Sequence, residues 1–124
     1  MTVNVRYIVN DIDNLEVYEL LGFDVLMHPA PGFAMLGKDD VRLLLNVPGG
    51  GGGAGQTTST GQTPAPGGWN RIQVEVPDLD EVLRRLEAAG VPTRGDVIEG
   101  RGGRQVIVED ASGNPIEVFE PAPR

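Results

Sequence analysis

Charged and amide side chains alternate with apolar ones in several short segments of this chain. Arg71, Gln73 and Glu75 alternate with aliphatic residues, and a strand places such alternate residues on opposite faces. Glu117 stands in a similar run near the carboxyl end. Two carboxylates lining one pocket can act as a general acid and a general base, so Glu75 and Glu117 are the candidate catalytic residues. Surface or ion-paired carboxylates are the commoner explanation of such a pair.

Nucleophilic and histidine chemistry have little support in the composition. The chain has no cysteine, which excludes disulfides, thiolate nucleophiles and cysteine-based zinc sites. His28 is the only histidine. A single histidine could act as a general base, but His28 stands beside Pro29 with no obvious carboxylate partner, so a plain strand-end role is favoured.

The elements that must position these residues come in two copies. The five-residue segment Val9–Asp13 recurs in similar form at Val76–Asp80, 67 residues later, and we call this motif the repeated phrase. Each copy follows a segment in which polar and apolar residues alternate. It precedes a segment with helical spacing of apolar residues, which ends at Gly22 or Gly90. A repeat of about half the chain length indicates one supersecondary unit used twice.

Each unit is predicted to contain a strand, a helix and three further strands. Asp11 and Asp78 are the predicted helix N-caps, and the first helix is expected to be one residue shorter than the second. Strands are predicted at 3–9, 23–28, 33–36 and 41–47, and again at 72–76, 93–98, 104–109 and 115–120. Pro29 is expected to end the strand before it, and residues 37–40 to form a hairpin turn.

Length and composition set the broad class. At 124 residues with 40% hydrophobic composition, the chain is expected to fold as one globular domain. Residues 48–68 hold nine glycines and three prolines and predict a flexible linker between modules at about 1–47 and 69–124. The net charge of −8 argues against a nucleic-acid partner. With no signal-peptide pattern and no membrane-length apolar run, a cytoplasmic protein is expected.

The repeated phrase and the turn before the last strand resemble the vicinal oxygen chelate superfamily, which includes glyoxalase I, the bleomycin-resistance proteins and the extradiol dioxygenases. The matching residues are Val9, Asp11, Asp13, Gly22, Phe23, Val76, Asp78, Asp80, Gly90, Asp110, Ser112, Gly113, Asn114, Pro115 and Glu117. The resemblance covers both units outside the linker. It implies an α+β fold of two βαβββ modules whose curved sheets form an open cup, usually completed in a homodimer, with the ligand inside.

The resemblance also implies where a metal would bind. Metal-dependent members carry a histidine seven residues before the Asp of each phrase and a glutamate in the last strand. Here those positions hold Asn4, Arg71, Leu44 and Glu117, so only the glutamate is retained. Arginine has no lone pair to donate and leucine has no donor atom. We therefore predict no cofactor and disfavour a divalent metal, and we expect a bidentate Arg71–Glu117 pair instead.

Alternate residues of a strand lie on the same face, and this alternation together with the resemblance predicts a candidate ligand pocket. Its predicted residues are Asn4, Arg6, Arg42, Asn46, Trp69, Arg71, Gln73, Glu75, Glu117 and Phe119. A polar lining suits a polar ligand better than a packing core. The alternative is that these side chains pair with each other in a wet groove without a ligand. Trp69 either stacks on a flat ligand or anchors the linker, and anchoring is the default.

Three functions are compatible with this pattern, and whether the chain is an enzyme stays open. The first is a glyoxalase- or bleomycin-resistance-like protein that binds a small molecule in the cup without the usual metal triad. The second is a lyase, isomerase or dioxygenase that uses unusual metal ligands or glutamate acid/base chemistry. The third is an interaction module that keeps only the homodimer. Neither a membrane nor a nucleic acid is an expected partner.

Overall fold

Strands and helices occur in the same order in both halves of the chain. The computed structural model describes residues 1–50 and 53–123. The first half contains β1 (Val5–Ile8), α1 (Glu16–Leu20), β2 (Asp24–Ala30), β3 (Phe33–Lys38) and β4 (Val41–Asn46). The second contains β5 (Ile72–Glu75), α2 (Leu79–Ala88), β6 (Ile98–Glu99), β7 (Gly103–Glu109) and β8 (Pro115–Pro121). The predicted βαβββ repeat is confirmed. Neither helix in the described ranges is long and apolar enough to cross a bilayer.

Each half forms its own four-stranded sheet, with strand orders β1-β4-β3-β2 and β5-β8-β7-β6. The first and last strands of each half pair in parallel, and the other pairs are antiparallel. Arg6 pairs with Leu44 in the first sheet, and Gln73 pairs with Glu117 in the second. The first and last strands of the two halves therefore pair in the same register, and Leu44 occupies the position equivalent to Glu117. We call the face of each sheet that carries these residues the cup face.

The opposite faces of the sheets pack with the helices into one hydrophobic core. Alternate residues of β1, β4, β5 and β8 point into it because the side-chain period of a strand is two. The largest fully buried side chains include Tyr18, Leu36, Leu43, Leu45, Leu79, Leu86 and Ile116. Burying an aliphatic side chain of this size contributes about 1.5–3 kcal/mol. Since the cluster draws on both halves, it holds the two sheets to one another.

Tyr7 forms a polar link between the two halves. Its buried hydroxyl accepts a hydrogen bond from the Ile72 amide and donates one to the Pro115 carbonyl, each at 2.8 Å. Burial raises the pKa of this hydroxyl above its ordinary value. Tyr7 thus joins β1 to the residues that begin β5 and β8.

Tyr18 makes a second polar link, to the turn before β8. Its hydroxyl donates to Asp110 Oδ2 at 2.6 Å, and Asp110 Oδ1 accepts from the amides of Ser112 and Asn114. Burial raises the pKa of the Tyr18 hydroxyl strongly, and the Asp110 carboxylate adds to the shift. The Asp-x-Ser-Gly-Asn turn is thus fixed by a residue of α1.

The first helix differs from the prediction. α1 has five residues and α2 has ten, so the expected difference of one residue is wrong. Asp78 caps α2 as predicted, since its side chain accepts from the Glu81 amide at 3.1 Å. Asp11 accepts instead from the Asp13 amide at 3.0 Å, in a turn that precedes the helix. Such local bonds compete with helical ones, so Asp11 is not an N-cap.

Strand boundaries also differ in three places. β2 continues through Pro29, which is tolerated because β2 is an outer edge strand that can lack an amide donor. β3 extends to Lys38, so the turn that follows is tighter than predicted, and Asp39 takes a φ of +53°. The strand predicted at 93–98 is reduced to β6, with one separate pairing of Thr93 to Val108.

Candidate ligand-binding site

Glu117 lies on the cup face of β8, and both of its carboxylate oxygens are occupied. Oε1 accepts from Arg71 Nε at 3.1 Å and forms an ion pair with Nη2 at 3.0 Å. Oε2 accepts from Gln73 Nε2 at 2.6 Å. The predicted Arg71–Glu117 contact is formed, but both guanidinium nitrogens reach the same oxygen, because Gln73 takes the other. Charge-assisted hydrogen bonds of this kind are strong when they are shielded from water.

The positions where the sequence resemblance would place a metal do not fit one here. Glu117 is committed to protein donors, and Leu44 is a buried apolar side chain. Asn4 is exposed ahead of β1, and Arg71 has no acceptor to offer. Nowhere in residues 1–50 and 53–123 do three His, Asp or Glu side chains converge in a metal-binding group. This donor set is unlike the imidazole and carboxylate sets that transition metals prefer.

A cavity of about 420 Å³ opens between β1 and β5, and we call it the arginine cavity. Arg6 and Arg71 are its charged lining residues, and Arg71 is further held by a 3.1 Å bond from Nη1 to the Trp69 carbonyl. The lining consists of Val5, Arg6, Tyr7, Ile8, Ala65, Gly67, Asn70, Arg71, Ile72 and Asn114. It therefore combines two cations and two amides with apolar strand residues.

Arg6 also borders a second cavity, of about 390 Å³, on the cup face of the first sheet. This linker cavity is lined by Arg6, Pro29, Ala30, Phe33, Asn46, Gly53 and Ala54. The Arg6 guanidinium donates through Nη1 to Oδ1 of the buried Asn46 at 2.5 Å. Two residues of the glycine-rich segment, Gly53 and Ala54, thus border the cup face of the first sheet.

The other predicted pocket residues lie elsewhere. Gln73 and Glu75 border a mainly apolar cavity of about 340 Å³. Asn4 and Arg42 line a separate groove of about 430 Å³ near the amino terminus. Glu117 lines none of these four cavities, whereas Glu75 lines the mainly apolar one. The structure distributes the predicted residues over several depressions.

Trp69 and Phe119 also lie outside those four cavities. Phe119 lies on β8 opposite Gln105 and Glu75. Trp69 is 67% exposed, and its ring lies 4.7 Å from the Arg94 guanidinium carbon. This position is the one expected of a linker anchor. His28 is exposed on β2.

Arg94 is a residue that the sequence did not single out. It donates to Glu109 Oε2 at 2.7 Å, to the Gly68 carbonyl at 2.6 Å and to the Gly113 carbonyl at 2.8 Å. With the ring of Trp69 stacked against it, Arg94 clamps the end of the linker to the turn before β8. Its partners are mostly backbone carbonyls, which leave no signature in a sequence.

Asn114 is the second residue whose role becomes clear in the structure. Its Nδ2 donates to the Ile8 carbonyl at 2.7 Å, and its Oδ1 accepts from the Gly67 amide at 2.8 Å. One buried amide thus joins β1, the linker and the turn before β8 at the wall of the arginine cavity. Asn114 was noted only as part of a motif, although a side chain with both donors and an acceptor suits such a junction.

Neither a protein-family model nor a curated protein matches the chain, but solved structures do. Lactoylglutathione lyase from Agrobacterium tumefaciens is 21% identical, with a TM-score of 0.71 over 97% of this chain and 92% of that one. The antibiotic-binding protein TnmS3 from Streptomyces sp. CB03234 is 23% identical, with a TM-score of 0.66 over 98% of both chains. The fosfomycin resistance protein FosX from Listeria monocytogenes is 14% identical, with a TM-score of 0.69 over 98% and 93%. The chain therefore has the vicinal oxygen chelate fold, which confirms the resemblance at the level of the fold.

Proposed function

We propose that this protein binds a small organic molecule in the arginine cavity and does so without a catalytic metal. The observation that carries the proposal is the Arg71–Glu117–Gln73 cluster beside that cavity. It places a fixed cation on the cup face and occupies the one retained carboxylate with protein donors. The volume of about 420 Å³ is within the range of small-molecule sites.

The solved neighbours support binding but do not decide between binding and catalysis. One is described as antibiotic-binding, another as a resistance protein and a third as a lyase. A shared fold hosts many chemistries, so the local geometry has to choose. Glu75 and Glu117 share none of the four cavities described above, and both Glu117 oxygens already accept from Arg71 or Gln73. The acid/base mechanism that requires this pair is therefore the less supported function.

We also propose that two copies of the chain form a homodimer through the outer edges of the sheets. Val25, Leu26 and Met27 on β2 are 44%, 54% and 48% exposed, and Ile98 on β6 is 62% exposed. Exposed apolar edge strands favour association with another chain. Light scattering is expected to give a dimer for the wild type and a monomer for Leu26→Asp. A monomeric wild type would refute the proposal.

Binding can be tested by filling the cavity. Ile8 is a half-buried lining residue of the arginine cavity, so Ile8→Trp should fill it. Val3→Trp is the matched control, because Val3 is exposed and outside the lining. The protein is purified without chelator, its metal content is determined, and a library of small organic molecules is screened by thermal shift. A compound at one hundred times its Kd is expected to stabilise the wild type by about 2.7 kcal/mol.

The expected result is stabilisation of the wild type and of Val3→Trp, and no stabilisation of Ile8→Trp. NMR of the same mixtures is expected to show unchanged compound. Stoichiometric metal together with product formation would overturn the proposal in favour of an enzyme. Equal stabilisation of all three proteins would show that binding occurs outside the arginine cavity.

A further inference from the structure

We infer that the ligand carries an anionic group attached to an apolar body, and that Arg6 binds the anionic group. The inference rests on the proposed ligand-binding function and specifies the class of ligand. Its basis is the place of Arg6 in the structure, since this residue borders both the arginine cavity and the linker cavity.

The two cavities that Arg6 borders differ in chemistry. The arginine cavity presents Arg71 and the amides of Asn70 and Asn114. The linker cavity presents Phe33, with Pro29, Ala30 and Ala54 among its other lining residues. A ligand that spans both therefore meets cationic and amide donors at one end and an aromatic and aliphatic wall at the other. An amphipathic molecule satisfies both environments at once.

Arg6 differs from the other arginines near the cavities because its hydrogen-bond partner is neutral. Arg71 is paired with Glu117, and Arg94 with Glu109. For Arg6, no carboxylate lies within ion-pair distance in the described part of the chain, and the guanidinium donates instead to the Asn46 side chain. A guanidinium has five N–H donors, so this bond leaves several for another acceptor.

The Asn46 contact also fixes the direction of the Arg6 side chain. Because Asn46 is buried, its amide holds one edge of the guanidinium against the sheet while Arg6 itself stays exposed. An oriented guanidinium forms two parallel hydrogen bonds with a carboxylate, phosphonate or sulfonate. The overall charge of −8 does not predict such a ligand, and the local cation is what selects for it.

The inference can be tested with two probes of nearly equal shape. 2-Naphthoate carries a carboxylate on an apolar body, and 2-naphthamide is its neutral counterpart. Binding of each is measured by titration calorimetry at low salt to the wild type, to Arg6→Met and to Arg84→Met. Arg84 is exposed on α2, so Arg84→Met removes the same charge at a position outside both cavities.

Wild type and Arg84→Met are expected to bind naphthoate about ten-fold more tightly than naphthamide, since charge-assisted hydrogen bonds favour the anion. Arg6→Met should bind the two compounds equally, and added salt should weaken naphthoate binding to the wild type and to Arg84→Met but leave the other affinities unchanged. Circular dichroism verifies that Arg6→Met folds.

Each other outcome overturns the inference. Naphthamide binding as tightly as naphthoate, or a preference that survives in Arg6→Met, would refute an anion site at Arg6 and leave the proposed binding function standing. Binding of neither probe would also refute it, because an apolar body with a carboxylate is all that it requires. The cavity-filling experiment with Ile8→Trp then decides the proposed function separately.

Discussion

Arg71, directly before β5, pairs with Glu117 on β8, with Nη2 of the arginine 3.0 Å from Oε1 of the glutamate. The glutamate is the more deeply buried partner, with 11% of its side chain exposed against 26% for the arginine. Gln73 satisfies the second carboxylate oxygen. The cup face of the second sheet therefore carries a cluster of Arg71, Gln73 and Glu117 whose net charge is zero. Both carboxylate oxygens of Glu117 accept hydrogen bonds within it.

Removing the cation should destabilise the protein more than removing the whole pair. Arg71→Met leaves the buried Glu117 carboxylate with Gln73 alone. We expect a loss of about 2 kcal/mol, less than the 3–5 kcal/mol of fully buried pairs because Arg71 is partly exposed. The double variant Arg71→Met/Glu117→Gln should recover part of that loss. The free energy of unfolding is measured by urea denaturation.

Arg84→Met serves as the control for this comparison, since Arg84 is exposed on α2 and its loss should change stability little. Additive effects of the Arg71 and Glu117 substitutions would contradict the coupling.

Much of this cluster could be predicted from the sequence, whereas the cavities could not. Arg71, Gln73 and Glu117 share a face because strand alternation and the 67-residue repeat fix parity and register. The division of the cup face into separate cavities depends on where the linker lies and on which backbone carbonyls Arg94 reaches. Those contacts are long-range and involve the main chain, so no residue pattern encodes them. The short α1 was missed because Asp11 bonds locally instead of capping a helix.

The two aspartates of the repeated phrase should differ in their effect on stability. Asp78→Ala removes the side-chain acceptor for the Glu81 amide at the start of α2, and we expect a loss of about 1 kcal/mol. Asp11→Ala is the matched control, since Asp11 accepts from the nearby Asp13 amide in an exposed turn and caps no helix. Thermal unfolding of the two variants decides the point. Equal losses would contradict the difference in capping.

Stability should fall at alkaline pH because of Tyr18. Burial, with Asp110 adding to it, raises the pKa of its hydroxyl above the ordinary value of about 10. A raised folded-state pKa contributes stability that is fully present below about pH 10 and is lost as the pH rises further. We expect the free energy of unfolding of the wild type to fall steeply above about pH 10.

Tyr18→Phe should flatten this alkaline dependence. At neutral pH the variant should be less stable by about 1–3 kcal/mol, because Asp110 loses a hydrogen-bond donor. Its free energy of unfolding should decline less steeply than that of the wild type, with the remaining slope due in part to Tyr7, whose pKa is raised in the same direction. Urea denaturation at a series of pH values measures both effects, and parallel profiles would contradict the assignment to Tyr18.

Releasing the Arg94 clamp should loosen the end of the linker while the core stays folded. Arg94→Met removes hydrogen bonds to Gly68, Gly113 and Glu109 and the guanidinium stacked on Trp69. Hydrogen exchange is expected to speed up in residues 65–70 and to stay unchanged in β8, since local opening needs far less free energy than global unfolding. Because Trp69 is the only tryptophan, its fluorescence should change as well.

Arg101→Met, at an exposed position, is the control and should leave both signals as in the wild type. Unchanged exchange in Arg94→Met would mean that the Asn114 contact alone suffices to hold this wall of the arginine cavity.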